Sequence, residues 1–185
     1  EQLDFARKRI NNNGLGDKVN LKLQDYRDET GVYDGVASIE MFEAVGEKYW
    51  PIYFNKVKQC LKPGKQATLQ IITIHDARWE VYRKGVDFIQ KYIFPGGMLP
   101  SPTVLRQEVA KAGLDVQHSI EFGKSYSQTL RRWFEVFNDQ WDTISTMGFD
   151  DRFRRMWNFY LTSCAATFES GNCDVTQITL QKPEI

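Results

Sequence analysis

The chain has 185 residues, and its 24 basic side chains balance its 24 acidic ones, so the formal net charge is zero. A neutral chain has no overall attraction to nucleic acid, which is therefore not expected as a partner. The length suggests one domain. Three cysteines and two histidines are widely separated, which argues against a disulfide framework and a metal site and fits a reducing cytoplasm.

The first part of the chain alternates helix and strand signals. An apolar stripe over Leu3–Ile10 predicts a helix, and VNLKLQD (19–25) predicts a strand with one exposed face. DGVASIE (34–40) is an apolar run, typical of a strand buried on both faces. A helix over Lys48–Leu61, ended by KPGK, leads to a second buried strand, ATLQIITI (67–74). Strand, helix and strand in this order predict an α/β unit with parallel strands.

The second part is rich in aromatic residues and is mostly helical in pattern. HDARWEVYRKGVDFIQKYIF reads as a helix, and FPGGMLPSP reads as a rigid loop. The further predicted elements are helices over Thr103–Ala112, Ser125–Trp141 and Asp151–Phe168, and strands in DVQHSIEFG and VTQITLQKP. Aromatic stripes at helical spacing usually belong to a core.

Polar side chains occur where the predicted strands end, which is where open parallel sheets bind ligands. Asp25 could accept a hydrogen bond from an adenine amino group while Tyr26 covers the ring, or the two could form a solvated turn. Glu40 and Glu43 could be reaction-site carboxylates or acids that complement a helix dipole. Gln70 lies inside an apolar strand, so its amide needs partners in a functional or a structural network.

Several segments together resemble the cyclopropane-fatty-acyl-phospholipid synthases and their mycolic-acid relatives. The likeness extends from Glu1 to about Lys182, and it is carried by EQLDFARKRI, LQDYRD, MFEAVG, YIFPGGMLPS, SYSQTLRRWFEVF and FYLTSCAATF. It implies a class I S-adenosylmethionine-dependent methyltransferase fold, a Rossmann-like α/β sheet with helices on both faces. Residues 1–185 would be the C-terminal part of one such domain, without its first two strands and glycine-rich loop. A helical substrate-pocket insertion would occupy residues 75–112 and 124–170.

The resemblance also implies a reaction. The π bond of an unsaturated acyl chain, as in a phospholipid, attacks the methyl group of S-adenosylmethionine, and loss of a proton gives a cyclopropane or a methyl-branched or methylene product. In the family a bicarbonate ion acts as the base. Such a substrate fits a cytoplasmic protein in peripheral contact with the inner membrane face, as a monomer or an oligomer. Without the glycine-rich loop, residues 1–185 alone are expected to be inactive.

The cofactor contacts implied by the resemblance fall on five residues. Gln2 matches a residue that touches the methionine end or the ribose, and Asp25 and Tyr26 match the pair that flanks the adenine. Ile39 and Glu40 match the end of the strand that lies beside the sulfonium.

The resemblance also implies which residues form the reaction site and the bicarbonate site. Glu43 matches the motif glutamate, Tyr126 the family tyrosine, Ile72 a position that contributes its backbone, and Cys164 an active-site cysteine. Gln70 replaces the family's anion-binding histidine. An amide donates a hydrogen bond but cannot share a proton, so the anion should be held differently and a methyl-branched product competes with the cyclopropane.

Three functions remain open from the sequence. The first is methyl or methylene transfer to an acyl double bond. The second keeps the fold but methylates a small amine or another lipid, since an aromatic pocket can hold a cation. The third is a lipid-binding fragment without catalysis. The aromatic residues of Trp79–Phe94, with Trp133, Phe134, Phe137 and Trp157, are candidates to line an acyl-chain tunnel under the first hypothesis.

Overall fold

The computed structural model describes residues 1–184 and contains two compact units, Glu1–Gly31 and Val32–Ile185. In the first unit, helix α1 spans Gln2–Asn12 and a 3-10 turn spans Tyr26–Asp28. Residues 19–25 lie in neither a helix nor a strand, so the prediction of a strand there is wrong. The alternating pattern is present, but this unit contains no strand with which the segment could pair.

The second unit is an α/β layer structure with a four-stranded sheet. Its strands are β1 (Tyr33–Ile39), β2 (Leu61–Ile74), β3 (Asp115–Glu121) and β4 (Cys173–Gln181). Its helices are α2 (Trp50–Gln59), α3 (Asp76–Tyr82), α4 (Phe88–Tyr92), α5 (Pro102–Lys111), α6 (Gly123–Asp139), α7 (Trp141–Ser145) and α8 (Asp151–Glu169).

The order of strands in the sheet is β1-β2-β4-β3. β1 runs parallel to β2 through α2, which confirms the predicted strand–helix–strand unit. β4 is antiparallel to both β2 and β3, so the sheet is mixed. Because β1 and β2 point the same way, their carboxyl ends lie together at one edge of the sheet.

Three predicted boundaries need correction. KPGK does not end the helix, because α2 ends at Gln59 and residues 62–65 already belong to β2. The single helix predicted after Ile74 is two short helices, and the second begins where Asp87 caps it in a capping box with Gln90. The helix predicted over Ser125–Trp141 ends at Asp139, and α7 follows. Among residues 1–184, no helix is long and apolar enough to span a membrane.

A cluster of buried aromatic rings fixes the segment that follows β1. Phe42 is fully buried and its ring lies 5.2 Å from Trp50, 5.0 Å from Tyr53 and 5.2 Å from Phe54, measured between centroids. Trp79 extends this cluster from α3. Each of these contacts adds to the burial of large apolar surface. Phe42 therefore anchors the turn that carries Glu40 and Glu43.

A second core lies between α6, α8 and β4. Leu130, Leu161, Ala165, Phe168 and Val175 form its buried centre. Tyr126, Cys164 and other half-buried side chains pack against it. This core packs the two long helices, α6 and α8, against β4.

We expect the central strand to dominate the stability of the sheet. Ile71→Ala removes a fully buried side chain from β2 and should lower the free energy of unfolding by about 2–5 kcal/mol. Val81→Ala on α3 should change it by less than about 0.5 kcal/mol, because Val81 is 80% exposed. Denaturant unfolding of both variants measures the difference. Similar losses for the two would contradict the assignment of the core.

Candidate active site

Glu40 lies at the carboxyl end of β1 in a strained backbone conformation. Its φ is +50°, and Glu40 is the only non-glycine residue with a positive φ in the described chain. A side chain in the left-handed region costs about 1 kcal/mol or more, so the surrounding contacts must hold it there. One of them is the hydrogen bond from the Glu40 backbone N–H to the Gln70 carbonyl, at 2.9 Å.

The Glu40 carboxylate is the acceptor of a small polar network. Gln70 Nε2 donates to Glu40 Oε1 at 2.6 Å and to the Tyr126 hydroxyl at 2.7 Å. The Tyr126 hydroxyl itself donates to Glu40 Oε1. Gln70 Oε1 in turn accepts from Gln177 Nε2 at 2.8 Å. The structure thus brings Glu40, Gln70 and Tyr126 together from β1, β2 and α6.

Glu43 occupies a drier environment one turn further on. Its Oε1 accepts from the backbone N–H of Ile72 at 2.6 Å, while its Oε2 is buried and has no hydrogen-bond partner among the described residues. Burial raises the pKa of Glu43; hydrogen bonds from backbone N–H groups oppose the shift, and the Glu40 charge adds to it. A carboxyl group with these properties can take up a proton more readily than an exposed one.

The position of Tyr126 depends on the start of α6. The Asp174 carboxylate on β4 accepts from the backbone N–H of Gly123 at 2.6 Å. A Cβ at position 123 would lie 2.7 Å from Asp174 Oδ1, so this close approach requires glycine. Burial, together with the Glu40 carboxylate, raises the pKa of Tyr126, which keeps the phenol protonated as a donor.

Cys164 lies half-buried on α8 and packs against the same core as Tyr126. Burial raises its pKa to about 11, so it is a neutral thiol at ordinary pH and not an activated nucleophile. Tyr160, one turn earlier on α8, has a pKa raised to about 12 by burial, with smaller contributions from Cys164 and Glu40. Tyr160 packs against the same core as Tyr126 and Cys164, and the sequence analysis did not single it out.

Gln177 is the second residue that the sequence analysis missed. It belongs to the alternating pattern of β4, where a glutamine reads as an exposed polar position. Only the pairing of β2 with β4 shows that it lies opposite Gln70. A buried Gln70 did signal that some partner was needed, but not which one.

The remaining cofactor candidates are Ile39, Gln2, Asp25 and Tyr26. Ile39 ends β1 and is 59% exposed. In the first unit, Gln2 begins α1, and Asp25 forms a bidentate ion pair with Arg27, with Oδ2 2.7 Å from Nη2. The hydrogen bonds from Arg27 lower the pKa of Asp25 to about 2. Tyr26 begins the adjacent 3-10 turn. The roles of these residues toward a cofactor stay predictions.

Comparison with known proteins identifies the family. A family model described as mycolic acid cyclopropane synthetase matches residues 1–178. The chain belongs to this family. It is 42% identical over 181 residues to tuberculostearic acid methyltransferase UfaA1 of Mycobacterium tuberculosis, and 33% identical over 183 residues to the cyclopropane-fatty-acyl-phospholipid synthase of Escherichia coli K12. These alignments cover 97% and 98% of this chain but 42% and 45% of the relatives, so the chain spans less than half of their length.

Solved structures confirm the methyltransferase fold. Mycolic acid cyclopropane synthase CmaA1, complexed with SAH and CTAB, superposes with a TM-score of 0.84 at 24% identity, covering 98% of this chain and 66% of that one. Coclaurine N-methyltransferase, bound to N-methylheliamine and SAH, gives 0.78 at 18% identity and covers 98% of this chain and 56% of its own. At these identities the likeness establishes the fold alone.

The raised pKa of Glu43 predicts how stability depends on pH. A carboxyl group whose folded-state pKa exceeds its ordinary value of 4.5 contributes stability below that value and loses it as the pH rises through the raised pKa. Glu43→Gln removes this loss, so the variant should gain stability relative to the wild type between about pH 4 and about pH 8. Denaturant midpoints across this range measure it. Glu80→Gln, at an exposed site on α3, is the control, and parallel curves for all three proteins would contradict the burial of the Glu43 charge.

Proposed function

We propose that the complete protein transfers a methyl or methylene group to the double bond of an unsaturated fatty acyl chain, in the manner of the family's cyclopropane synthases and fatty acid methyltransferases. The observation that best supports this is the unequal pair of carboxylates at the end of β1. Glu40 is engaged by two donors, whereas Glu43 keeps one buried oxygen without a partner. An ionised group beside a positive charge and a base in a dry pocket are what this chemistry needs.

S-adenosylmethionine, when bound, supplies an electrophilic methyl group with a positive charge on its sulfur. Glu40, fixed by Gln70 and Tyr126, holds a negative charge at the strand end where open α/β sheets bind ligands. The alkene would supply the electron pair for the new carbon–carbon bond while the methyl–sulfur bond breaks and S-adenosylhomocysteine leaves, and the carbocation centre left on the acyl chain would then have to lose a proton. We assign Glu43 Oε2 to accept that proton, because it is desolvated and its pKa is raised.

A bicarbonate base does not fit the donors as they are arranged. The Tyr126 hydroxyl donates to Glu40, the Gln70 amide donates to Glu40 and Tyr126, and the Ile72 N–H donates to Glu43. An added anion would have to displace these bonds while lying near two carboxylates. No step of the proposed reaction therefore passes through bicarbonate.

The proposal predicts a product that mass spectrometry can detect. Cells that express the complete gene should contain acyl chains heavier by one CH2 group, and Glu43→Gln should reduce this product by about 100-fold or more, since general-base catalysis typically contributes that much. Proton NMR separates the isomers: a cyclopropane has ring protons and lacks olefinic ones, whereas a methylene or methyl-branched alkene retains olefinic ones.

The same experiment tests the alternatives. A methylated amine with no change in lipid mass would favour an amine methyltransferase. Lipid bound by the purified protein but never modified would favour a lipid-binding function. Full turnover by Glu43→Gln, or turnover that requires added bicarbonate in the wild type, would overturn the assignment of Glu43 as the base.

A row of aromatic rings supports an acyl-chain path to this site. The row begins at Phe149, just before α8, and continues along that helix. The ring centroids of Phe149 and Phe153 are 4.5 Å apart, those of Phe153 and Trp157 are 5.6 Å apart, and those of Trp157 and Tyr160 are 5.0 Å apart. Phe137 on α6 flanks both Phe153 and Trp157. The row ends at Tyr160, which packs against the same buried core as Tyr126. We propose that an acyl chain lies along this row.

This path uses fewer aromatic residues than the sequence analysis proposed for the lining of an acyl-chain tunnel. Trp79 belongs to the buried cluster around Trp50, and Trp133 is 55% exposed. Phe137→Leu should lower turnover of a long acyl substrate by about ten-fold, because a misplaced chain leaves the double bond out of line, whereas Trp133→Leu should leave it nearly unchanged. Equal rates for the two variants, at unchanged thermal stability, would remove this path.

A further inference from the structure

Gln177 lies on β4 directly opposite Gln70 in the antiparallel pairing of β2 with β4. Its Nε2 donates to Gln70 Oε1 at 2.8 Å. Gln70 is buried, with 8% of its surface exposed, whereas Gln177 is half-buried and lies one strand further from the carboxylates. Gln177 therefore touches the site only through the amide of Gln70.

The chemistry of these groups fixes the direction of every hydrogen bond. An ionised Glu40 can only accept, so Gln70 must present its Nε2 to Glu40 and its Oε1 to Gln177. Gln177 must then present its own Nε2, since two carbonyl oxygens cannot bond to each other. The Tyr126 hydroxyl accepts from Gln70 and donates to Glu40. Donation thus runs from Gln177 through Gln70 and Tyr126 to Glu40.

We propose that Gln177 is a positioning residue, which holds the Gln70 amide with its Nε2 toward Glu40 and Tyr126. Toward Glu40 and Tyr126 the Gln70 side chain then acts only as a donor, and Glu40 stays a fixed acceptor. Of the two carboxylates, Glu43 is left to take up the reaction's proton. This role rests on the proposed function, because it acts on the residues that the reaction uses.

The same pair of strands offers a matched control. Thr68 and Thr179 also face each other across β2 and β4, two residues along on the same face, with their hydroxyl oxygens 3.2 Å apart. Neither contacts Glu40, Gln70 or Tyr126 through a hydrogen bond of its side chain in the described residues. Thr179→Val therefore removes a cross-strand hydrogen bond while leaving the site intact.

Gln177→Glu separates positioning from packing, because it keeps the size of the side chain and makes its donor depend on pH. When protonated, the introduced carboxyl group can donate its O–H to Gln70 Oε1. When ionised, the same group can only accept, so it turns the Gln70 amide around and sets Gln70 Oε1 against Glu40. Half-burial and the nearby Glu40 charge should raise the pKa of the introduced carboxyl group above its ordinary range. The variant should therefore lose kcat/KM as the pH rises, to about ten-fold below the wild type at about pH 8, and approach the wild type near about pH 5.

The measurement is the ratio of variant to wild-type kcat/KM across this pH range, with the complete protein and an unsaturated acyl phospholipid. The ratio reports the introduced carboxyl group, because the titratable groups that already lie at the site, namely Glu40, Glu43 and Tyr126, are present in both proteins. Thr179→Val should give a ratio near one at every pH. A pH-independent ratio for Gln177→Glu, or one that also appears in Thr179→Val, would overturn the positioning role.

Thermal unfolding gives a second readout that does not require activity. Gln177→Met leaves Gln70 Oε1 without a donor, so it should lower the Tm more in the wild-type background than in a Gln70→Met background. Thr179→Val should lower it equally in both. Equal losses for Gln177→Met would show that the amide pair is absent. If the wild-type protein modifies no lipid, the proposed function and the kinetic role of Gln177 both fall, while this cycle still decides whether the pair forms.

Discussion

The parallel pairing of β1 with β2 places Glu40 beside Gln70, because the backbone N–H of Glu40 donates to the Gln70 carbonyl at 2.9 Å. The rest of the site depends on this bond, since it continues the ladder at the point where the chain must turn away. Glu40 turns with a φ of +50°, which costs about 1 kcal/mol or more. Hydrogen bonds to its charged carboxylate, typically worth about 1.5–3 kcal/mol each, are large enough to offset that cost.

Local patterns predicted the parts of the fold that neighbouring residues determine. The helix after Glu40 and the long buried strand around Gln70 follow from apolar periodicity and reappear in the structure. A strand also forms before Glu40, but the prediction that it is buried on both faces is wrong, because β1 lies at the outer edge of the sheet and most of its residues are exposed. Residues 19–25 fail because an alternating pattern makes a strand only where another strand is available for pairing. The prediction that KPGK ends the helix fails for the opposite reason. Here a partner is available, and pairing with β4 and Lys182 keeps a segment with turn residues in a strand.

Motif resemblance indicated Glu43, Gln70 and Tyr126 as a set, and their placement at one sheet edge follows from the topology. The direction of the hydrogen bonds could not be read from the sequence. It depends on Gln177, which is 107 residues from Gln70 and is connected to it only by strand register. A histidine at position 70 could exchange a proton with its surroundings, whereas the Gln70 amide, whose oxygen accepts a hydrogen bond from Gln177, cannot. The Gln70 amide therefore acts as part of a pair, and its partner is visible only in the folded chain.

The two glutamates illustrate how one short turn can produce opposite electrostatic environments. Phe42 lies between the two glutamates in the sequence, and its buried side chain fixes the turn. Glu40 therefore remains at the strand end, while Glu43 reaches the backbone N–H of Ile72 on β2. Glu40 accepts from an amide and a phenol, so its negative charge is stabilised. Glu43 is desolvated and feels the Glu40 charge, so its negative charge is disfavoured and its pKa is raised. Burial beside a neighbouring carboxylate is a common way to prepare one carboxyl group for proton transfer. In this chain the difference between the two follows from packing: the Glu40 side chain faces the donors of β2 and α6, whereas Phe42 carries the Glu43 side chain inward, where one of its oxygens is buried without a partner among the described residues.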